Sequence, residues 1–307
     1  MNEKNILSYM GNTPMVRLTK NIPKNSADIY LKVEEFNPGG SIKSRISLQM
    51  IIDAEEKGIL KPNSDQIIIE PTGGNTGIGL AIASAIKGYK LQLVIPDNYS
   101  KEKIKMLKAY GAEVILSNHE IGNDSHIKKT KKIIQQAPDK YVWLDQLRNP
   151  SNPGAHFKST ALEILDSLEK IDCFVAGIGS GGTITGIGTR IKEKFPHALI
   201  IAVQPKGCDV LQGKAIKHKI QGFSIGYIPP VLNTSIIDDV LEVDYEDVVT
   251  CMKELAKTEG LLLGISSGAN VYAAKKMAIK LGINKTIVTI SPDSGRSYLE
   301  VYGGCIK

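Results

Sequence analysis

Two hydrophobic periods alternate along this chain. Near-continuous apolar runs of strand length occur at "DQIIIE" (65–70), "KLQLVIP" (90–96), "AEVILS" (112–117), "DCFVAGIG" (172–179), "ALIIAVQP" (198–205) and "TIVTISPD" (286–293). Apolar residues on both faces of a strand point to a parallel sheet covered by helices. Between these runs lie stretches with helical spacing: "ISLQMIIDAEEKG" (46–58), "TGIGLAIASAIKG" (76–88), "SKEKIKMLKAYG" (100–111), "EDVVTCMKELAKTEG" (246–260) and "AAKKMAIKLG" (273–282). The β-α-β order occurs twice, which predicts two successive α/β units. The Pro- and Asn-rich "LRNPSNPGAHF" (147–157) marks the expected boundary. Residues 205–235 have little periodicity and many turn formers; an irregular stretch of that length inside a domain is more often functional than idle.

Composition narrows the picture only a little. The chain has 307 residues, 42% of them hydrophobic and 23% charged, with a net charge of +6. The basic runs "KKTKK" (128–132) and "KAIKHK" (214–219) lack interleaved aromatics and read as solvated faces, so nucleic-acid binding is not expected. Cys173, Cys208, Cys251 and Cys305 are far apart, with no C-x-x-C pair and no zinc-like His spacing. Idle thiols in a reducing compartment and no metal site follow from that spacing. With no signal-like N-terminus and no long apolar run, the expectation is a cytoplasmic protein with no membrane contact.

Chemistry concentrates in glycine-rich turns. "GIGSGGTITGIG" (177–188) follows a predicted strand and matches G-x-G-x-x-G at Gly177, Gly179 and Gly182. A dinucleotide site would place an acid at the end of the next strand, but that strand ends in Gln204, so NAD binding loses its most specific element. What remains is a turn of small residues, Gly179, Ser180, Gly181, Gly182 and Thr183, whose N–H groups and hydroxyls could cradle a phosphate. Close helix packing is the plain alternative. "EPTGGNTGIGLA" (70–81) also follows a strand and opens a helix. Thr72, Asn75 and Thr76 there put side-chain donors beside free amides, which suits a carboxylate, although helix capping alone would favour the same residues. "NPGGSIKSR" (37–45) is not a phosphate-binding P-loop, because Ile42 rather than Gly precedes the lysine. It does set Lys43 at the start of a helix, where the dipole disfavours an ammonium ion.

A phosphate cradle, a carboxylate cradle and a lysine at a helix start together match the needs of pyridoxal phosphate chemistry. At this point "GNTP" (11–14), "NPGGSIKSR", "EPTGGNTGIGLA", "NPSNPGAHF", "GIGSGGTITG", "GLLLGISSGA" and "PDSG" (292–295) resemble the motif series of the cysteine synthase and cystathionine β-synthase family. The resemblance implies a fold type II α/β architecture: two lobes, each a mainly parallel twisted sheet flanked by helices, with pyridoxal 5'-phosphate in the cleft between them. It implies a smaller mobile domain at 36–147 and a larger phosphate-anchoring domain at 148–307, with residues 1–35 packing mainly against the larger one. Lys43 would bond the cofactor's aldehyde and serve as base. Asn75 would contact the ring oxygen, Gly179, Ser180, Gly181, Gly182 and Thr183 the phosphate, and Ser266 the pyridine nitrogen. Thr72, Gly73, Asn75, Thr76, Gln146 and Gly222 would bind substrate. The implied reaction replaces the substituent on Cβ of a serine- or cysteine-type amino acid, with sulfide or a thiol entering or sulfide leaving. A homodimer is implied, and docking of a serine acetyltransferase C-terminus is conceivable on the same ground. A hydroxy-amino-acid dehydratase of the same fold and a non-catalytic partner-binding protein are the alternatives; an intact Lys43 argues against the second.

Three positions depart from the family pattern. Gly73 stands in place of the usual Ser, Ser44 in place of the usual Asp, and "QGFSIGYIPP" (221–230) in place of the usual "QGIGAGFIP". The expected consequences are room beside the substrate's Cβ at Gly73, and added bulk with one new hydroxyl at the substrate pocket from Phe223, Ser224 and Ile225.

Overall fold

Ile and Val runs form strands here because β-branched side chains are stiff and pack well on a pleated surface, while the Ala- and Lys-rich stretches between them form helices. The computed structural model describes residues 4–20, 22–122 and 124–303. In chain order the elements are β1 (Met15–Arg17), β2 (Asp28–Val33), α1 (Lys43–Glu56), β3 (Ile67–Glu70), α2 (Asn75–Lys87), β4 (Lys90–Pro96), α3 (Lys101–Ala109), β5 (Glu113–Ser117), α4 (Ser125–Gln136) and β6 (Tyr141–Trp143). They continue with α5 (Ser151–Ala155), α6 (Ala161–Ser167), β7 (Cys173–Gly177), α7 (Gly182–Lys194), β8 (Leu199–Pro205), β9 (Asp239–Val243), α8 (Tyr245–Thr258), α9 (Ile265–Leu281) and β10 (Thr286–Ser291).

The chain divides into two compact units. Among the described residues, one comprises 4–10 and 37–151, the other 11–36 and 152–303. In the first, the described strands form a parallel sheet in the order β5-β4-β3-β6. Every residue of β3 is buried, as expected for a central strand covered on both faces. Helices α1 and α2 pack closely because Gly79 has no side chain: a β-carbon there would lie 2.6 Å from Ser47 Oγ and 3.0 Å from Ser44 Cα. In the second unit the order is β1-β2-β10-β7-β8-β9, parallel throughout except for the β1–β2 pair. Its core joins Val175, Val203 and Ile287 of the sheet to Met252, Leu255, Ala274 and Met277 of α8 and α9.

Several segments differ from the sequence-based expectation. The 147–157 stretch becomes helical from Ser151 and runs through a π turn at His156–Thr160 into α6. Helix α9 begins at Ile265 rather than near Ala273, so "GISSGA" forms its first turn. The basic run at 128–132 lies on the unexpected helix α4, with its four lysines exposed and Thr130 buried. Residues 206–233 carry no helix or strand beyond a bridge between Asp209 and Lys214. Cys173, Cys208 and Cys251 are free and buried, and Cys305 lies outside the described residues. No helix among the described residues is long and apolar enough to cross a membrane, and no cluster of His, Cys, Asp or Glu among them could hold a metal ion.

Candidate active site

In the first unit, Lys43 is the first residue of α1, and its N–H donates to Ser41 Oγ at 3.3 Å. The side chain is half-buried. It stands at the end of the helix where the unpaired N–H groups lie. Ser44 is fully buried at the contact between α1 and α2, with no hydrogen bond to its Oγ. Its role is therefore packing, where a charged residue would need a partner of its own.

The 70–76 turn is held by hydrogen bonds from two directions. Thr76 Oγ1 donates to Gln146 Oε1 at 2.7 Å, which brings together two predicted substrate residues far apart in sequence. Ser47 Oγ of α1 donates to the Thr76 carbonyl at 3.2 Å and so ties the lysine-bearing helix to the start of α2. The N–H of Gly74 donates to Thr72 Oγ1 at 3.4 Å. Glu70, buried at the end of β3, accepts the N–H of Asp145 at 3.0 Å on one oxygen and that of Gln146 at 3.2 Å on the other. Burial pushes the Glu70 carboxyl up to about 8, against the lowering effect of those two N–H donors. Asn75 opens α2 and Gly74 caps it, so the N-terminal end of the helix lies at the turn.

In the second unit, the turn after β7 leads into α7 through Gly181, whose φ of +83° a residue with a side chain would adopt only with strain. Among the described residues, the N–H groups of Gly179, Ser180 and Gly181 donate to no protein acceptor. The hydroxyls are held from behind: Asn152 Nδ2 donates to Ser180 Oγ at 3.1 Å, and His156 Nε2 lies 3.3 Å from Thr183 Oγ1. Asn152 leaves the Ser180 proton available for another acceptor. Free amides, a free hydroxyl proton and a helix N-terminus suit a phosphate group. Ser266 lies in the first turn of α9, on the face that carries Asn270 one turn later. Asn270 Oδ1 accepts the Gly177 N–H at 2.8 Å and its Nδ2 donates to the Ile290 carbonyl at 2.9 Å, so α9 is fixed to the strand that delivers the glycine turn. Gly222 is exposed with φ +87°, and its carbonyl lies 2.1 Å from where a Gly179 β-carbon would sit. Gln204, where a dinucleotide site would need an acid, instead organises the turn after β8: its Oε1 accepts the Val210 N–H at 2.9 Å and its Nε2 donates to the Cys208 carbonyl.

Two expectations about the substrate pocket are overturned. Gly73 does not leave a void, because a β-carbon there would lie 2.7 Å from Ile95 Cγ2 and 2.9 Å from Tyr99 Cε1. Phe223 does not add bulk to a pocket either. It is buried in the core of the second unit, its ring filling the space a Gly177 side chain would take. Ser224 adopts φ +49° and buries an Oγ that has no partner, whereas Ile225 is exposed. Glu70, Asn152 and His156 escaped the sequence reading although all three lie inside the motifs quoted for it. The signal for Glu70 was available, since an acid ending an otherwise apolar buried strand needs a partner.

Comparisons with known proteins identify the family. The family model described as "Pyridoxal-phosphate dependent enzyme" matches residues 6–293. The chain is 47% identical over 300 residues to a probable cysteine synthase of Bacillus subtilis, covering 96% of each chain. Among solved structures, a hydrogen sulfide-producing enzyme of Fusobacterium nucleatum superimposes with a TM-score of 0.90 at 40% identity, covering 97% of this chain and 98% of that one. A cysteine synthase of Entamoeba histolytica gives a TM-score of 0.93 at 36% identity, with coverage of 100% and 93%.

Proposed function

This chain belongs to the pyridoxal-phosphate dependent enzyme family, and we propose that it catalyses cysteine synthase-like β-replacement, in which sulfide displaces the activated oxygen substituent of a serine derivative such as O-acetylserine. The observation that carries this reading is the linkage of Lys43's helix, through Ser47 and the Thr76 carbonyl, to the start of α2, whose positive end and Thr72 hydroxyl suit a carboxylate. The free N–H groups of Gly179–Gly181 fit the cofactor's phosphate. When bound, the cofactor supplies an aldehyde that condenses with amines and a ring that withdraws electrons from the amino acid's α-carbon.

The chain's own residues supply the rest. Lys43 Nζ holds the cofactor at rest and takes the Cα proton during turnover. Thr72, Gly73, Asn75, Thr76 and Gln146 orient the amino acid's carboxylate, and Asn75 also contacts the cofactor's ring oxygen. Ser180, Gly182 and Thr183 complete the phosphate cradle with Gly179 and Gly181. Ser266 meets the ring nitrogen with a neutral hydroxyl. That partner keeps the ring unprotonated and favours loss of a β-substituent over other outcomes. Gly222 borders the substrate. Residues 36–147 are proposed as the mobile domain that excludes water, with 148–307 and most of 1–35 as the anchoring domain.

A second reading reverses the flow of sulfide: cysteine is the donor, and a thiol, a second cysteine or water the acceptor. The likeness to a hydrogen sulfide-producing enzyme favours it. Cytoplasmic location, a homodimer and docking of a serine acetyltransferase C-terminus extend the proposal. They are supported by the family resemblance and, for location, by buried free thiols. The deciding experiment measures cysteine formed from O-acetylserine with sulfide alongside sulfide released from cysteine. Turnover in either direction is expected, the faster naming the physiological one; absence of both refutes the proposal.

A further inference from the structure

Tyr99 lies in the turn between β4 and α3, where its N–H donates to the Pro96 carbonyl at 3.1 Å. Its ring runs along Gly73 and Gly74. A β-carbon at Gly73 would lie 2.9 Å from Cε1 and 3.1 Å from Cδ1, and one at Gly74 would lie 3.4 Å from the hydroxyl. Ile95 closes the other side, 2.7 Å from the Gly73 position. The phenol makes no hydrogen bond among the described residues, and Lys103 Nζ stands 5.9 Å from the ring centre. Contacts below 3 Å are closer than carbon atoms tolerate, so the full ring and a side chain at position 73 exclude one another. A hydroxyl without a protein partner beside the start of α2 is available to a ligand.

We propose that Gly73 and Tyr99 form one specificity element, in which the Tyr99 ring replaces a residue-73 side chain as the wall of the amino-acid site and its hydroxyl meets the substituent on the substrate's Cβ. The proposal rests on the reading of residues 72–76 as the amino-acid turn. An apolar wall ending in a hydroxyl discriminates among β-substituents by size and by hydrogen bonding, whereas the carboxylate stays with the α2 amides. Choice of donor therefore depends on Tyr99, which lies outside the family motifs.

The test uses the cofactor-loaded enzyme and compares wild type, Y99F, Y99A, G73S, the G73S/Y99A double variant and T72A. Three quantities are measured: kcat/KM for O-acetylserine with sulfide, kcat/KM for cysteine consumption, and the affinity for L-alanine, which has a carboxylate and an amine but no leaving group. The ratio of the two specificity constants is expected to shift about tenfold in Y99A and by less in Y99F. G73S is expected to lower both constants and the melting temperature in the Tyr99 background, and to do so less once Tyr99 is alanine, since Ile95 still stands 2.7 Å from the new side chain. Non-additivity of that kind is the signature of a shared space. T72A is expected to weaken L-alanine binding. An unchanged donor ratio in both Tyr99 variants together with additive G73S effects overturns the specificity element. Unchanged L-alanine binding in T72A overturns the underlying assignment of the turn instead.

Discussion

The turns after β3 and β7 look alike in sequence and are built on different principles. Each follows a buried parallel strand, is rich in glycine and opens a helix. The first is braced by side-chain hydrogen bonds, with Glu70 holding the 145–146 backbone and Thr76 holding Gln146. The second is braced by close contact. Side chains at Gly179, Gly181 and Gly182 would run into the Gly222 carbonyl at 2.1 Å, Leu232 Cβ at 2.7 Å and Asn152 Oδ1 at 1.9 Å. Glycine thus serves two purposes in one molecule. After β7 it lets neighbouring chain press from behind, so that the amides stay turned forward; at Gly73 it makes way for the Tyr99 ring and Ile95.

This contrast can be broken most severely at Gly179. Its substitution by alanine drives a methyl group against a backbone carbonyl, a clash that no side-chain rotation relieves. A loss of about 1–3 kcal/mol in unfolding free energy is expected, together with loss of cofactor binding. At Gly154, in helix α5 with open space around it, the same change is expected to be neutral or to stabilise by about 0.5–1 kcal/mol. Thermal unfolding and cofactor titration of both variants check the pair, and equal behaviour contradicts the packing account.

The hydrogen-bonded turn should fail more gently. Thr76→Val keeps the volume and removes the donor to Gln146, so KM for the amino acid is expected to rise by up to about tenfold with folding intact. An unchanged KM would separate Gln146 from the substrate turn.

The last effect concerns pH. An ordinary glutamate titrates near 4.5, whereas Glu70 is pushed up to about 8 by burial. Between those values the folded chain keeps a proton that the unfolded chain has lost. The contribution is complete below about 4.5 and is lost as the pH rises through about 8, with a slope of at most about 1.4 kcal/mol per pH unit. Denaturant unfolding of wild type and Glu70→Gln across this range should show the wild type losing stability relative to the variant as pH rises. Parallel profiles would mean that the two N–H donors keep Glu70 ionised throughout.

Much of this was legible in the sequence because the period of the apolar pattern reports which faces are buried. Strand β4 falls on "KLQLVIP" to the residue, and α1 starts at Lys43 as its motif implied. The roles proposed for Thr72 and Asn75 rest on residue type in the same local way, whereas that of Ser266 rests on the family resemblance. What stayed hidden depends on contacts distant in sequence. Nothing near Gly73 announces that Tyr99 fills its space, and nothing near Gly177 announces that Phe223 lies against it. Asn152 and His156 were visible as letters in a Pro-rich stretch, yet their partners, Ser180 and Thr183, belong to another motif. The departures from the family pattern misled for this reason: a missing side chain was read as empty space although the fold had already filled it.

The central claim is that Lys43 carries the cofactor for β-replacement. Its most direct test is Lys43→Ala, following visible absorbance, far-UV circular dichroism and turnover of O-acetylserine with sulfide on one preparation. The account predicts a folded protein that lacks both the absorbance of lysine-bound cofactor and β-replacement activity. Retention of that absorbance together with full turnover would contradict it.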